Sequence, residues 1–127
     1  MPVQFEIDVT RSLVLTRVAD AVSAADLAAY QVALAAHAQF SPHFDLLIEF
    51  RPSVLFDGTG EDVKRLAQQT PFKSDSKRAF VVADDVNFGL SRMAQEYSDM
   101  IGSHVEVFWD RESAMDWLDR KPAVAPQ

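Results

Sequence analysis

Apolar and polar residues alternate at the start of the chain. Val3, Phe5, Ile7 and Val9 are interleaved with Gln4, Glu6, Asp8 and Thr10. A period of two predicts a half-exposed strand. Thr10, Arg11 and Ser12 suit a turn, and the apolar run 13–18 predicts a second strand. So short a connection requires the two strands to pair antiparallel. The pattern then changes. Ser23 offers a hydroxyl to the first turn of a helix, and Asp26 stands three residues on, as in a capping box. Leu27, Tyr30, Leu34 and Ala38 fall on one face of that helix, and Pro42 lies past its end.

The same logic extends to the C-terminus. Leu46, Leu47 and Ile48 with Phe50 form a continuous apolar run, the signature of a strand covered on both faces, and Pro52 closes it. Thr59 caps a second helix, with Asp62 three residues on and Val63, Leu66 and Ala67 on its apolar face. Pro71 stops it. Residues 79–83 form the best candidate for a buried strand. Asp84 or Asp85 caps a third helix with the stripe Val86, Leu90, Met93, Tyr97 and Met100, and Gly102 ends it. Val105, Val107 and Trp109 mark a last strand. Asp110 caps a last helix with Ala114, Trp117 and Leu118 inward.

The predicted order is β-β-α-β-α-β-α-β-α, an α/β domain with a single mixed sheet of about five strands and covering helices. Residues 1–120 form one domain. Residues 121–127, rich in proline and alanine, are expected to be a disordered tail.

Composition narrows the chemistry. With 127 residues, 48% of them hydrophobic, the chain can bury one core unaided. It has no cysteine, which removes disulfides, thiolate catalysis and iron–sulfur clusters. No secretory leader and no apolar run of membrane-spanning length is visible, so a cytoplasmic location without membrane insertion is expected. A net charge of −7 argues against nucleic acid as a partner. Basic residues gather locally at Lys64, Arg65, Lys73, Lys77 and Arg78, with Asp75 the one acid from 64 to 78. Such a stretch can draw an anionic ligand or an acidic partner, or simply be a solvated face.

Motifs for catalysis are missing. His37, His43 and His104 lack metal-ligand spacing, so no metal and no cofactor is expected. There is no phosphate loop, nucleophile elbow or dinucleotide fingerprint. Ligands of open α/β sheets sit beyond the carboxyl ends of the parallel strands. Those ends bring Phe50 and Arg51 near Asp84 and Asp85, with Asp57 and Thr59 close by. The carboxylates are candidates for acid–base work, or plain helix caps. Phe40, Phe44, Phe50, Phe56, Phe72 and Phe88 lie near loops and helix starts, where they either line an apolar pocket or anchor loops to the core.

Two blocks carry a resemblance. One is Phe80-Val81-Val82-Ala83-Asp84-Asp85 followed by Phe88-Gly89-Leu90-Ser91-Arg92-Met93. The other is Val105-Glu106-Val107-Phe108 followed by Ala114-Met115-Asp116-Trp117-Leu118. Together with the order of elements, they make residues 3–119 resemble the STAS-like (SpoIIAA-like) domains of bacteria, relatives of the anti-anti-sigma factors. That resemblance implies a STAS-like fold and a regulatory role. It also implies that Thr59, in Asp57-Gly58-Thr59-Gly60, is a phosphoacceptor. Threonine stands there where serine is commoner, and Gly58 where a hydroxyl is frequent. The fold is also akin to that of lipid-carrying domains.

The sequence therefore favours a non-enzymatic regulatory or protein-interaction module. Its partner surface would use the loop from Arg51 to Thr59, the helix that follows, and the basic stretch. The alternative is a carrier or sensor of a small apolar or anionic ligand, bound beyond the strand ends near Phe50, Asp84 and Phe88. A hydrolase or transferase using Asp57, Asp84 or Asp85 ranks third. Homodimerisation through the first strand, or through Met93, Tyr97 and Met100, is compatible with the pattern.

Overall fold

A computed structural model describes residues 2–120. The expected tail lies outside the described residues. The elements are β1 (Val3–Asp8), β2 (Leu13–Val18), β3 (Ala21–Ser23), α1 (Ala24–Ala36), β4 (Asp45–Phe50), β5 (Leu55–Asp57), α2 (Gly60–Gln68), β6 (Lys77–Val81), α3 (Asp85–Met100), β7 (His104–Phe108) and α4 (Arg111–Asp119).

Five strands form one mixed sheet in the order β1-β2-β4-β6-β7. The β1–β2 pair is antiparallel and every later pair is parallel. Each parallel strand is thus laid beside the one before it, always on the same side. Right-handed crossovers with that order put all their helices on one face. One core cluster accordingly joins Val14, Val18, Leu46 and Ile48 of the sheet to Leu34 of α1 and to Phe72. A second, on the opposite face, joins Leu13, Leu47, Ala79 and Val81 to Ala114 and Leu118 of α4. The alternation of strand side chains sorts neighbouring residues such as Leu46 and Leu47 to opposite faces.

The helix starts follow from local chemistry. Ser23 and Thr59 each form a full capping box with the aspartate three residues on, while Asp84 and Asp110 accept from the backbone N–H of Asn87 and Ser113. Gly102 adopts a left-handed φ of 76°, and the N–H groups of Gly102 and Ser103 return to the carbonyls of Asp99 and Ser98. This paired closure needs a residue tolerant of positive φ.

Several expectations are corrected. α1 stops at Ala36, so Ala38 lies beyond it and is exposed. β6 starts two residues before the expected position and takes in Lys77 and Arg78. β7 ends at Phe108, and Trp109 is outside it and exposed. Two three-residue strands, β3 and β5, pair parallel as a small separate ladder that the pattern did not announce. Segments so short carry too few residues for alternation to register.

Candidate functional site

The parallel strands set rows of side chains on the face covered by α1, α2 and α3. Register places Val14, Leu46, Arg78 and Val105 side by side across four strands. The next row on that face is Thr16, Ile48, Phe80 and Val107. An arginine therefore stands in the middle of an apolar row.

Above these rows lies a cavity of about 140 Å³. The sheet supplies its floor through Leu46, Ile48, Phe50, Arg78, Phe80 and Val105. Leu27, Tyr30 and Gln31 of α1 wall one side, and Val63, Leu66 and Ala67 of α2 the next. Thr70, Pro71 and Phe72 continue that wall. Asn87, Leu90, Ser91, Ala94 and Ser98 of α3 form the last.

The cavity exists because the inner face of α3 is small and polar. Asn87, Ser91 and Ser98 are its buried residues. The expected stripe is rotated away: Val86 is 67% exposed and Met100 78%, while Met93 and Tyr97 are half-buried. Only Leu90 of that stripe lines the cavity. Serine and alanine occupy far less room than leucine, and the sheet beneath α3 is not filled.

Arg78 is 4% exposed. Its Nη1 donates to Thr70 Oγ1 at 3.3 Å, and its guanidinium lies 5.9 Å from the centre of the Phe72 ring. Nε and Nη2 are buried without a hydrogen-bond partner within the protein. Arg78 takes part in none of the ion pairs among the described residues. Burial lowers its pKa from the ordinary arginine value. A guanidinium still keeps its proton in proteins. The site thus holds one positive charge in apolar surroundings, with donors unmatched, a costly arrangement.

Tyr30, Gln31 and Asn87 are hydrogen-bonded within the site. Tyr30 and Thr16 share a hydrogen bond of 2.7 Å, and burial raises the phenol pKa, so Tyr30 stays neutral. Gln31 Nε2 donates to the Leu66 carbonyl at 2.9 Å and ties α1 to α2. Asn87 Nδ2 donates to the Val54 carbonyl and to Asp84 Oδ2, fastening the start of α3 to the segment before β5. Phe56 lines the cavity, and its ring lies over Gly58 so closely that a Cβ there would overlap it.

The residues expected from sequence fall into separate places. Phe50 lines the cavity, but Arg51, Asp57 and Asp85 are exposed outside it. Asp84 is a cap: N–H groups of Asn87 and Ser53 hold its carboxyl below the usual range, which suits a permanent anion rather than a proton shuttle. Phe88 stacks on Trp109 with ring centres 5.0 Å apart and does not line the cavity. The cavity thus lies under the helices rather than beyond the strand ends near Asp84 and Phe88. Thr59 is exposed, and its hydroxyl accepts from Asp62 N–H and donates to Asp62 Oδ2.

The basic stretch is divided as well. Lys73 is exposed, Lys64 half-buried, and Arg65 bonds Asp62 at 3.1 Å. Lys77 donates to the carbonyls of Trp117 and Arg120 and so closes the end of α4. Arg78, expected in a solvated stretch, belongs to the core because β6 begins early enough to include it. Of the six phenylalanines singled out, Phe50, Phe56 and Phe72 line the cavity, whereas Phe40 and Phe44 pack against the core as anchors. His43 bonds Asp75 at the surface, and no group of three metal-ligating side chains occurs among the described residues. Among those residues no helix is long and apolar enough to cross a membrane.

No family model, no curated protein and no solved structure matches the chain.

Proposed function

We propose that this domain is a carrier or sensor of a small, largely apolar molecule, held in the cavity between the sheet and helices α1, α2 and α3. The observation that carries this reading is a half-open, largely apolar space of about 140 Å³ between the sheet and three helices. Interiors of small domains are close-packed, and an empty space that size sacrifices contacts on every wall. An engineered apolar cavity of about 150 Å³ takes up benzene, so the space suits a body of roughly six carbon atoms. The resemblance to STAS-like domains, a fold akin to that of lipid carriers, supports the same reading. A protein-interaction role through Thr59 draws support from the exposure of its hydroxyl at the start of α2, whose inner face walls the cavity.

The test is occupancy by small neutral probes. Benzene and 1-hexanol should raise the melting temperature, because a ligand that binds only the folded state stabilises it. The methyl signals of Leu46, Ile48, Val63 and Leu90 should shift in NMR spectra, while those of Leu13 and Leu118 on the opposite face stay put. No shift among the four at saturating probe refutes the reading.

A further inference from the structure

We infer that the cavity is a site for a monocarboxylate of about six to eight carbons, whose carboxyl group docks on Arg78. This deepens, and rests on, the reading of the cavity as a ligand site. Arg78 is 96% buried, from its 4% exposure, and lines the cavity with Nε and Nη2 unmatched by any group of the protein. An arginine in a core is ordinarily paired with a carboxylate. Here the described residues offer only the Thr70 hydroxyl. A carboxylate binds such a fork through two parallel N–H bonds. Nε and Nη2 are the adjacent pair of that edge, both covered by surrounding atoms in the empty protein, so the guanidinium turns toward the cavity when the carboxylate docks.

Charge selects the head group. One cation lines the cavity, and no acid does. A single negative charge balances it. A phosphate monoester, near −2 at neutral pH, brings an excess charge into an apolar space.

Register selects the shape. Arg78 lies beside Leu46, and the floor continues along β4 through Ile48 to Phe50. Leu46 to Phe50 is four residues, roughly 13 Å at the rise of a strand. The head therefore sits at the Arg78 end, near Thr70 and Phe72, and the body extends along Ile48 and Phe80 toward Phe50. Volume limits the body to roughly a benzene or a short alkyl chain. Outside, the wall segment carries Lys64 and Lys73, which set positive charge near the cavity on a domain of net charge −7.

The experiment is an NMR titration of the full chain with isosteric sets. Hexanoate is compared with 1-hexanol, hexanamide and hexyl phosphate, and benzoate with benzamide. The Arg78 Nε–H signal and the cavity methyl groups are followed in the wild type and in Arg78→Met. The inference expects hexanoate and benzoate to bind at least ten-fold more tightly than their neutral isosteres, with the Nε–H signal moving downfield. In Arg78→Met the acids should lose at least ten-fold while the alcohol binds as well or better. Equal binding of acid and alcohol, or an unmoved Nε–H signal, overturns the carboxylate assignment but leaves the cavity reading standing. Tighter binding of hexyl phosphate than of hexanoate also overturns it. Binding of none of the compounds by either protein sinks the cavity reading itself. Should Arg78→Met fail to fold, the Nε–H shift and the acid-to-amide ratio in the wild type decide the matter alone.

Discussion

Replacing Arg78 by methionine should make the ligand-free protein more stable. Methionine fills much of the same space, bends to fit, and carries no donor. Two nitrogens of the Arg78 guanidinium are buried without a partner. Each unmatched buried donor costs about 1–3 kcal/mol, and more when the group is charged. Against this stand a bond to Thr70, long at 3.3 Å, and the approach to the Phe72 ring at 5.9 Å. The first contributes at most about 1.5–3 kcal/mol as a bond to a charged group, the second about 0.5–2 kcal/mol. Thr70 Oγ1 keeps its bond from Phe72 N–H after the substitution. At their midpoints the two sides, about 4 kcal/mol against about 3.5, favour methionine by under about 1 kcal/mol, a rise in melting temperature of at most roughly 4 °C for a domain of this size. Urea unfolding measures it directly, as a higher midpoint at unchanged slope. A loss of 1 kcal/mol or more in Arg78→Met would refute the reasoning, since it would mean that the guanidinium is well satisfied in the empty protein and is not held in reserve for an anion.

Other expectations are simpler. Thr59→Ala removes the cap of α2 and should cost about 1 kcal/mol, with Thr59→Ser near neutral; denaturant midpoints of the three proteins decide. Ala94→Leu places new methyl groups in the cavity, so stability should stay within about 1 kcal/mol of wild type while hexanoate binding disappears. The capping carboxyls of Asp62 and Asp84 are held below their ordinary range by N–H groups of Thr59 and Asn87. Their folded pKa values lie below the unfolded ones, so their stabilisation is present above about pH 4 and is lost as pH falls through the folded values. Asp62→Asn and Asp84→Asn should therefore each flatten the fall in urea midpoint between pH 5 and pH 3. Gly58→Ala should displace the Phe56 ring from the cavity wall, seen as a shift of the Phe56 ring signals with little change elsewhere.

What could be read from sequence was what local chemistry decides. Ser23, Thr59 and Asp110 were legible as caps, and Asp84 as one of two candidates, because a cap depends on residues three apart. The parallel sheet was legible in the run from Leu46 to Ile48. The rotation of α3 was not. Its most hydrophobic stripe begins at Val86, and the helix nevertheless turns Asn87, Ser91 and Ser98 inward, a choice made by what lies beneath it. Arg78 was hidden by one boundary. With β6 taken to start at Ala79, an arginine ahead of it belongs to a loop. Started at Lys77, the strand puts Arg78 and Phe80 on the same face. That parity was the available signal, and the charge of the neighbouring residues outweighed it.

The place of Arg78 in the sheet bears on the lifetime of the folded domain. Each parallel strand lies beside the one that precedes it in the chain, and β7 forms the edge. Val105 of β7 flanks Arg78, and α3, which leads into β7, walls the cavity beside it. Departure of that edge would bring the guanidinium to water. If edge and helix close late in folding, dehydration of the charge belongs to a step past the point at which most of the sheet has formed. Interactions made that late act on the rate of unfolding and hardly on the rate of folding. A bound acid would reveal itself as a brake on opening, and the lifetime of the closed domain, more than its speed of formation, would record whether the cavity is filled.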